Sequence, residues 1–246
     1  MVTVTSPSAR TPSAPHKRVL PEGRAASTIE AERTRLVGRV GFWAAILTAT
    51  CALGWVVAVT LASAFNIPAG QWGLVTQFAP SLFLALAYVA LMVAIRERTP
   101  VERRIWPSIA VPIATIYATL NATVYFVELT LVTPRKLSGD LGNLGFLDMK
   151  SGLYLFAVDV FGYALMSLAA AFAAPAFAGS RSRLERWIFW LLLANWPFAA
   201  VGPLVMMFTS QGVSLMILWA AIWTLLIPVP AILLAVVFRS EARDVA

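Results

Sequence analysis

Charge is scarce in this sequence, and cysteine and histidine are scarcer still. Only 13% of the 246 residues are charged, while 59% are hydrophobic. A soluble domain carries about 25% charged residues. The deficit is concentrated in uncharged runs longer than the roughly 20 apolar residues a helix needs to cross a hydrocarbon core. The chain therefore reads as an integral membrane protein.

The other shortages exclude chemistry. Cys51 is the only cysteine, which rules out an intrachain disulfide and a Cys-based metal site. It lies mid-span between Thr50 and Ala52, where a buried, inert thiol is expected. His16 is the only histidine and sits in a polar tail, so His-ligated zinc, copper or haem is not expected, and no cofactor is implied. No apolar span holds a Lys for a retinal Schiff base, and none has two histidines at metal-binding spacing. There is no phosphate-binding glycine loop. Ser138 and Ser151 precede glycines but have no histidine to activate them, which argues against a Ser-His-Asp hydrolase.

Basic residues are plentiful, giving a net charge of +7. They cluster in a tail and in short loops, with no basic face interleaved with exposed aromatics, so nucleic-acid binding is excluded. Their placement is that of topology signals in a membrane protein.

In chain order, residues 1–26 are rich in Ser, Thr, Pro, Ala and Arg and read as a disordered basic tail. Residues 27–39 read as a juxtamembrane helix opened by Ser27 and Glu30 as a capping box. Its arginines suit anionic lipid head groups or simple topogenic signalling. Six spans follow at about 40–65, 72–95, 105–132, 152–177, 187–208 and 213–238, and residues 239–246 form a C-tail. Ala62-Ser63-Ala64 has a cleavage-site form. The polar and apolar stretches before it are longer than a signal peptide's, so the first span is expected to be retained. Ala45, Ala49, Gly54, Ala58 and Ala62 make a small-residue seam on it.

Six spans put both termini on one side. That side collects sixteen Lys and Arg residues against three on the other. Both termini are thus expected in the cytoplasm, with an inner (plasma) membrane location. Trp72, Trp106 and Trp187 fit interfacial anchors. The loops RERTPVERRIW (96–106) and RSRLERWIF (181–189) look alike, which shared cytoplasmic-loop composition explains better than an internal repeat. The expected fold is an all-α bundle of six transmembrane helices.

Two carboxylates lie inside apolar spans: Glu128 in VYFVELTLV and Asp159 in LFAVDVFGYAL. Helical rise places Glu128 about 6 Å and Asp159 about 10 Å below the outer ends of consecutive helices. Gln77 falls near that level, and Asn195 nearer mid-membrane. Tyr117, Asn121, Tyr125 and Glu128 share one helical stripe; Asp159, Tyr163, Met166 and Ala170 share another. Acids in spans usually face an interior or a wet cavity. A nearby pair there should titrate as a unit. The candidate site for a ligand or proton is therefore Glu128, Asp159, Asn121, Tyr125, Tyr163, Gln77 and Asn195. The plainer alternative is that Arg135, Lys136 or Lys150 reaches down from the outer loop and neutralises Glu128.

Three functions follow as expectations. The first is binding or transport of a proton or a small cationic or amphipathic molecule through an outer-facing cavity, with the Gly-rich loop Thr133–Ser151 as lid. The second is an intramembrane acid–base enzyme acting on a lipid or polyprenyl substrate. The third is a non-catalytic subunit of a larger complex, packing on a membrane protein partner through the small-residue seam.

Overall fold

A computed structural model describes residues 22–65, 71–149, 153–208 and 223–244. Every regular element among these residues is helical. The elements are α1 (Glu22–Ala64), α2 (Gln71–Arg98), α3 (Ile105–Val127), α4 (Thr133–Leu137), α5 (Leu153–Ala173), α6 (Arg183–Leu193), α7 (Trp196–Phe208) and α8 (Pro228–Asp244).

Five helical stretches are long and apolar enough to cross a membrane: Thr28–Ala62, Gly73–Arg98, Ile105–Leu137, Tyr154–Phe177 and Trp223–Arg243. The stretch expected as one span over 187–208 forms two helices, α6 and α7, broken at Ala194 and Asn195. Pro197 explains the break. It has no N–H for the Leu193 carbonyl, but it suits the start of a new helix, where that donor has no partner anyway. Asn195 is fully buried at the break, and its Nδ2 donates to the Leu191 carbonyl at 2.9 Å and the Leu226 carbonyl at 3.3 Å. Residues 209–222, which include most of the first half of the expected sixth span, lie outside the described residues, as does the tail 1–21. The helix through the juxtamembrane segment begins at Glu22, ahead of the Ser27 start, and continues without a break into the first span.

The helices pack as a closed ring. α1 contacts α2 and α8, α2 contacts α3, and α3 contacts α5. α5 contacts α6 and α7, and α6 returns to α8. Small residues set the closest approaches. Ala45 and Ala49 are buried, and a Cβ on Gly54 would be in ordinary contact with Pro80 of α2. A tighter contact on α1 than that of Gly54 lies at Gly41. A Cβ on Gly41 would come within 2.5 Å of the Phe238 ring, so α8 lies directly on that glycine. Many large apolar side chains face outward, among them Trp43, Leu47, Phe83, Phe126 and Phe161. In water such a surface would drive aggregation; against lipid tails it is the expected exterior.

The outward face of α3 carries threonines, and each has a partner within its own helix. Thr115, Thr119 and Thr123 donate to the carbonyls four residues back at 3.0, 2.9 and 2.7 Å. A hydroxyl facing lipid finds no water, so this back-bonding removes its desolvation cost.

Candidate functional site

The polar interior is built where α3 and α5 meet. Tyr117, Asn121, Tyr125 and Glu128 are all buried along α3 and its continuation. Asp159, Tyr163, Met166 and Ala170 are all buried along α5. The Asn121 Nδ2 donates to Asp159 Oδ1 at 2.8 Å. The Tyr125 and Tyr163 hydroxyls are 2.9 Å apart, and Tyr125 also interacts with the Asp159 carboxyl. Four of the seven candidate residues, Asn121, Tyr125, Asp159 and Tyr163, thus form one cluster.

Gly162 makes this meeting possible. A Cβ there would stand 1.6 Å from Asn121 Oδ1, so the amide fits only against a bare α-carbon. Aromatic rings close the cluster. Tyr163 meets the Trp223 ring edge-on with centroids 4.8 Å apart and lies 5.8 Å from Tyr117. Phe78 of α2 packs on Tyr125, and Tyr88 of α2 packs edge-on against Tyr117. Tyr88 donates its hydroxyl to the Met166 carbonyl at 2.9 Å. The Tyr117 hydroxyl and Trp223 Nε1 are buried donors without a hydrogen-bond partner among the described residues. Such atoms cost free energy unless something takes their protons.

Asp159 is only 7% exposed, and no Lys, Arg or His forms an ion pair with it among the described residues. Its polar neighbours are neutral. A buried carboxylate without a counter-ion is expensive.

Glu128 has a different setting. It opens a π-helical turn, Glu128–Val132, between α3 and α4. Pro134 accounts for the wide turn: its ring would clash with the carbonyl four residues earlier, and it has no N–H to give. The Thr130 hydroxyl donates to the Phe126 carbonyl at 2.6 Å, which also favours a bend. Glu128 Oε1 accepts the backbone N–H of Met149 at 2.5 Å, tying the loop to the helix. Lys136, one of the bases proposed to reach Glu128, instead bridges Asp148 at 2.6 Å; that carboxylate is 3% exposed. Arg135 is exposed and Lys150 lies outside the described residues. The loop is a latched cap, with a 3₁₀ turn at Gly142–Leu147 and positive φ at Gly139 and Gly142.

The remaining candidates are dispersed. Gln77 is half-buried on α2 and makes no side-chain hydrogen bond among the described residues. Asn195 serves the α6–α7 break.

A charged assembly at the opposite end escaped sequence reasoning. Arg98, ending α2, binds Glu185 of α6, binds Glu241 of α8 at 2.5 Å, and covers the Phe177 ring at 5.1 Å. Arg33 of α1 binds Glu97 at 2.6 Å. The Arg103 guanidinium donates to the Ala178 carbonyl, and the Arg98–Glu185 pair joins the two look-alike loops. Burial pushes the Glu185 carboxyl up, but the Ser180 hydroxyl and the Arg98 guanidinium outweigh it and hold it below its ordinary value. The partners come from different loops, and no local spacing announces them. The one available signal was opposite charge in 96–106, 181–189 and the C-tail.

These features define a class: an all-helical, multi-pass membrane protein with a buried carboxyl cluster. Compared with protein-family models, curated proteins and solved structures, the chain matches none.

Proposed function

We propose that this protein binds and releases a proton inside the membrane at Asp159, with Asn121, Tyr125 and Tyr163 holding the carboxyl in place. The observation that carries this reading is a buried carboxyl with neutral hydrogen-bonding partners and no ion pair among the described residues. The Tyr163 ring packs against both Tyr117 and Trp223, and Asn121 presses on Gly162. That packing favours the smallest of the expected ligands, a proton, over an amine or amphipathic molecule. Glu128 lies about one helical turn beyond Tyr125, next to the loop, and serves as the outer relay. Protons then reach Asp159 through the Tyr125 and Tyr163 hydroxyls. In this reading the basic end faces the cytoplasm, and proton movement is coupled to transport.

The test is thermal unfolding of the purified chain across pH, with and without alkali cations and small amines. A single linked proton changes stability by up to about 1.4 kcal/mol per pH unit. Wild type should show such a component between acid and neutral pH, Asp159→Asn should lose it, and cations should change little. Identical curves for wild type and Asp159→Asn would remove Asp159 from the function. A shift produced by an amine rather than by pH would transfer the site to an organic cation.

A further inference from the structure

The helix α6 carries a second, independent feature. Arg183, Arg186, Trp187 and Trp190 are spaced by three, one and three residues, which places them on one helical stripe. They line a cleft of about 380 Å³. Both indoles are largely exposed, at 64% and 61%. The opposite side of the helix is committed to the bundle: Ile188 and Leu192 are buried, and Glu185 turns to Arg98.

The arginines differ from their neighbours. Arg33, Arg96 and Arg98 are ion-paired to glutamates, and Arg103 and Arg104 donate to backbone carbonyls. Arg183 and Arg186 have neither kind of partner among the described residues. Among the described residues, two guanidiniums without such partners therefore border a cleft that is also lined by two indoles. Guanidinium binds phosphate through parallel N–H donors. Indole prefers the level where lipid head groups meet acyl chains. A ligand that satisfies both is an anionic phosphate attached to a hydrocarbon tail.

We propose that this cleft is a binding site for an anionic phospholipid, with the head-group phosphate on Arg183 and Arg186 and the upper acyl chain along Trp187 and Trp190. The occupied lipid fastens the short α6, which at 11 residues cannot span the bilayer alone, to the membrane surface. The site is separate from the Asp159 cluster and does not depend on it.

The experiment titrates the full chain in detergent with phosphatidylglycerol, using phosphatidylcholine as reference, and counts bound lipid by native mass spectrometry. Each arginine near an anionic lipid contributes about a fivefold preference. Arg183→Gln with Arg186→Gln should weaken phosphatidylglycerol binding about twenty-five-fold, and each single substitution about fivefold. Arg181→Gln removes an exposed arginine outside the cleft and should change it little. Fluorescence quenching by brominated phosphatidylglycerol should fall in Trp187→Phe with Trp190→Phe, which keeps both charges. An equal loss with Arg181→Gln would reduce the effect to general surface charge and overturn the site. So would unchanged binding in the arginine variants, or displacement of the lipid by millimolar inorganic phosphate.

Discussion

Two kinds of buried or half-buried acid sit at different heights in this bundle. At the basic end, Glu185 and Glu241 share Arg98, and Glu97 is held by Arg33 and Arg96. Within the bundle, Asp159 meets an amide and phenols. Near water, opposite charges find each other cheaply, and each pair contributes about 0–1 kcal/mol. Inside, no base pairs with Asp159 among the described residues. The first arrangement ties helices together; the second holds a carboxyl among neutral groups. Glu128 stands between them. It is buried in an apolar span, yet it accepts a backbone N–H from the loop.

The largest effect expected from breaking this contrast is at Gly162. An added methyl would force α3 from α5 at the level of Asp159, since its Cβ would lie 1.6 Å from Asn121 Oδ1. Overpacking of this kind costs about 1–3 kcal/mol. Gly162→Ala should lower the melting temperature more than any charge substitution at the basic end. Combining it with Asn121→Ala should restore much of the loss. A wild-type melting temperature for the single variant would disprove the α3–α5 contact.

The charged end should respond next. Arg98→Gln leaves Glu185 and Glu241 without their shared cation and should cost up to about 2 kcal/mol, measured by denaturant or thermal unfolding. The pH behaviour has a defined sign. The Glu185 carboxyl is lower in the folded state than in the unfolded one. Its stabilising contribution is complete above the ordinary carboxylate range, about pH 4, and is lost as pH falls through the lower folded value. Glu185→Gln should flatten that part of the acid limb while leaving the response assigned to Asp159.

The smallest effect is local. Glu128→Ala frees the Met149 N–H, and amide hydrogen exchange at Met149 should accelerate severalfold while global melting changes little. Glu128→Gln keeps an acceptor oxygen and should protect that amide. If both variants leave exchange at Met149 unchanged, the latch does not hold the loop.

Several parts of this picture are legible in the sequence. Uncharged apolar runs marked the spans, because a helix in lipid must be apolar along its whole length. Periodicity placed Asn121 and Tyr125 on one stripe of α3, and Asp159 and Tyr163 on one stripe of α5. Other parts had no local signature. Pro197 was visible, but whether it would kink a span or end one depended on Asn195 reaching the Leu226 carbonyl. Gly162 looked like one more small residue, and its importance arises only from the Asn121 side chain opposite. Nothing local marks Trp223, whose ring closes over Tyr163.

The sequence by itself determined that the chain belongs in a membrane and that Glu128 and Asp159 are the acids within its apolar spans. Hydrophobic length and helical rise are local properties, carried by each segment alone. Tertiary structure decided what each acid meets: Asp159 an amide and phenols, Glu128 the N–H of Met149, and Glu185 a guanidinium from another loop. Those partners lie on different helices or across a loop. Only the packing of small residues, which sets how closely helix axes approach, brings such groups within hydrogen-bonding distance.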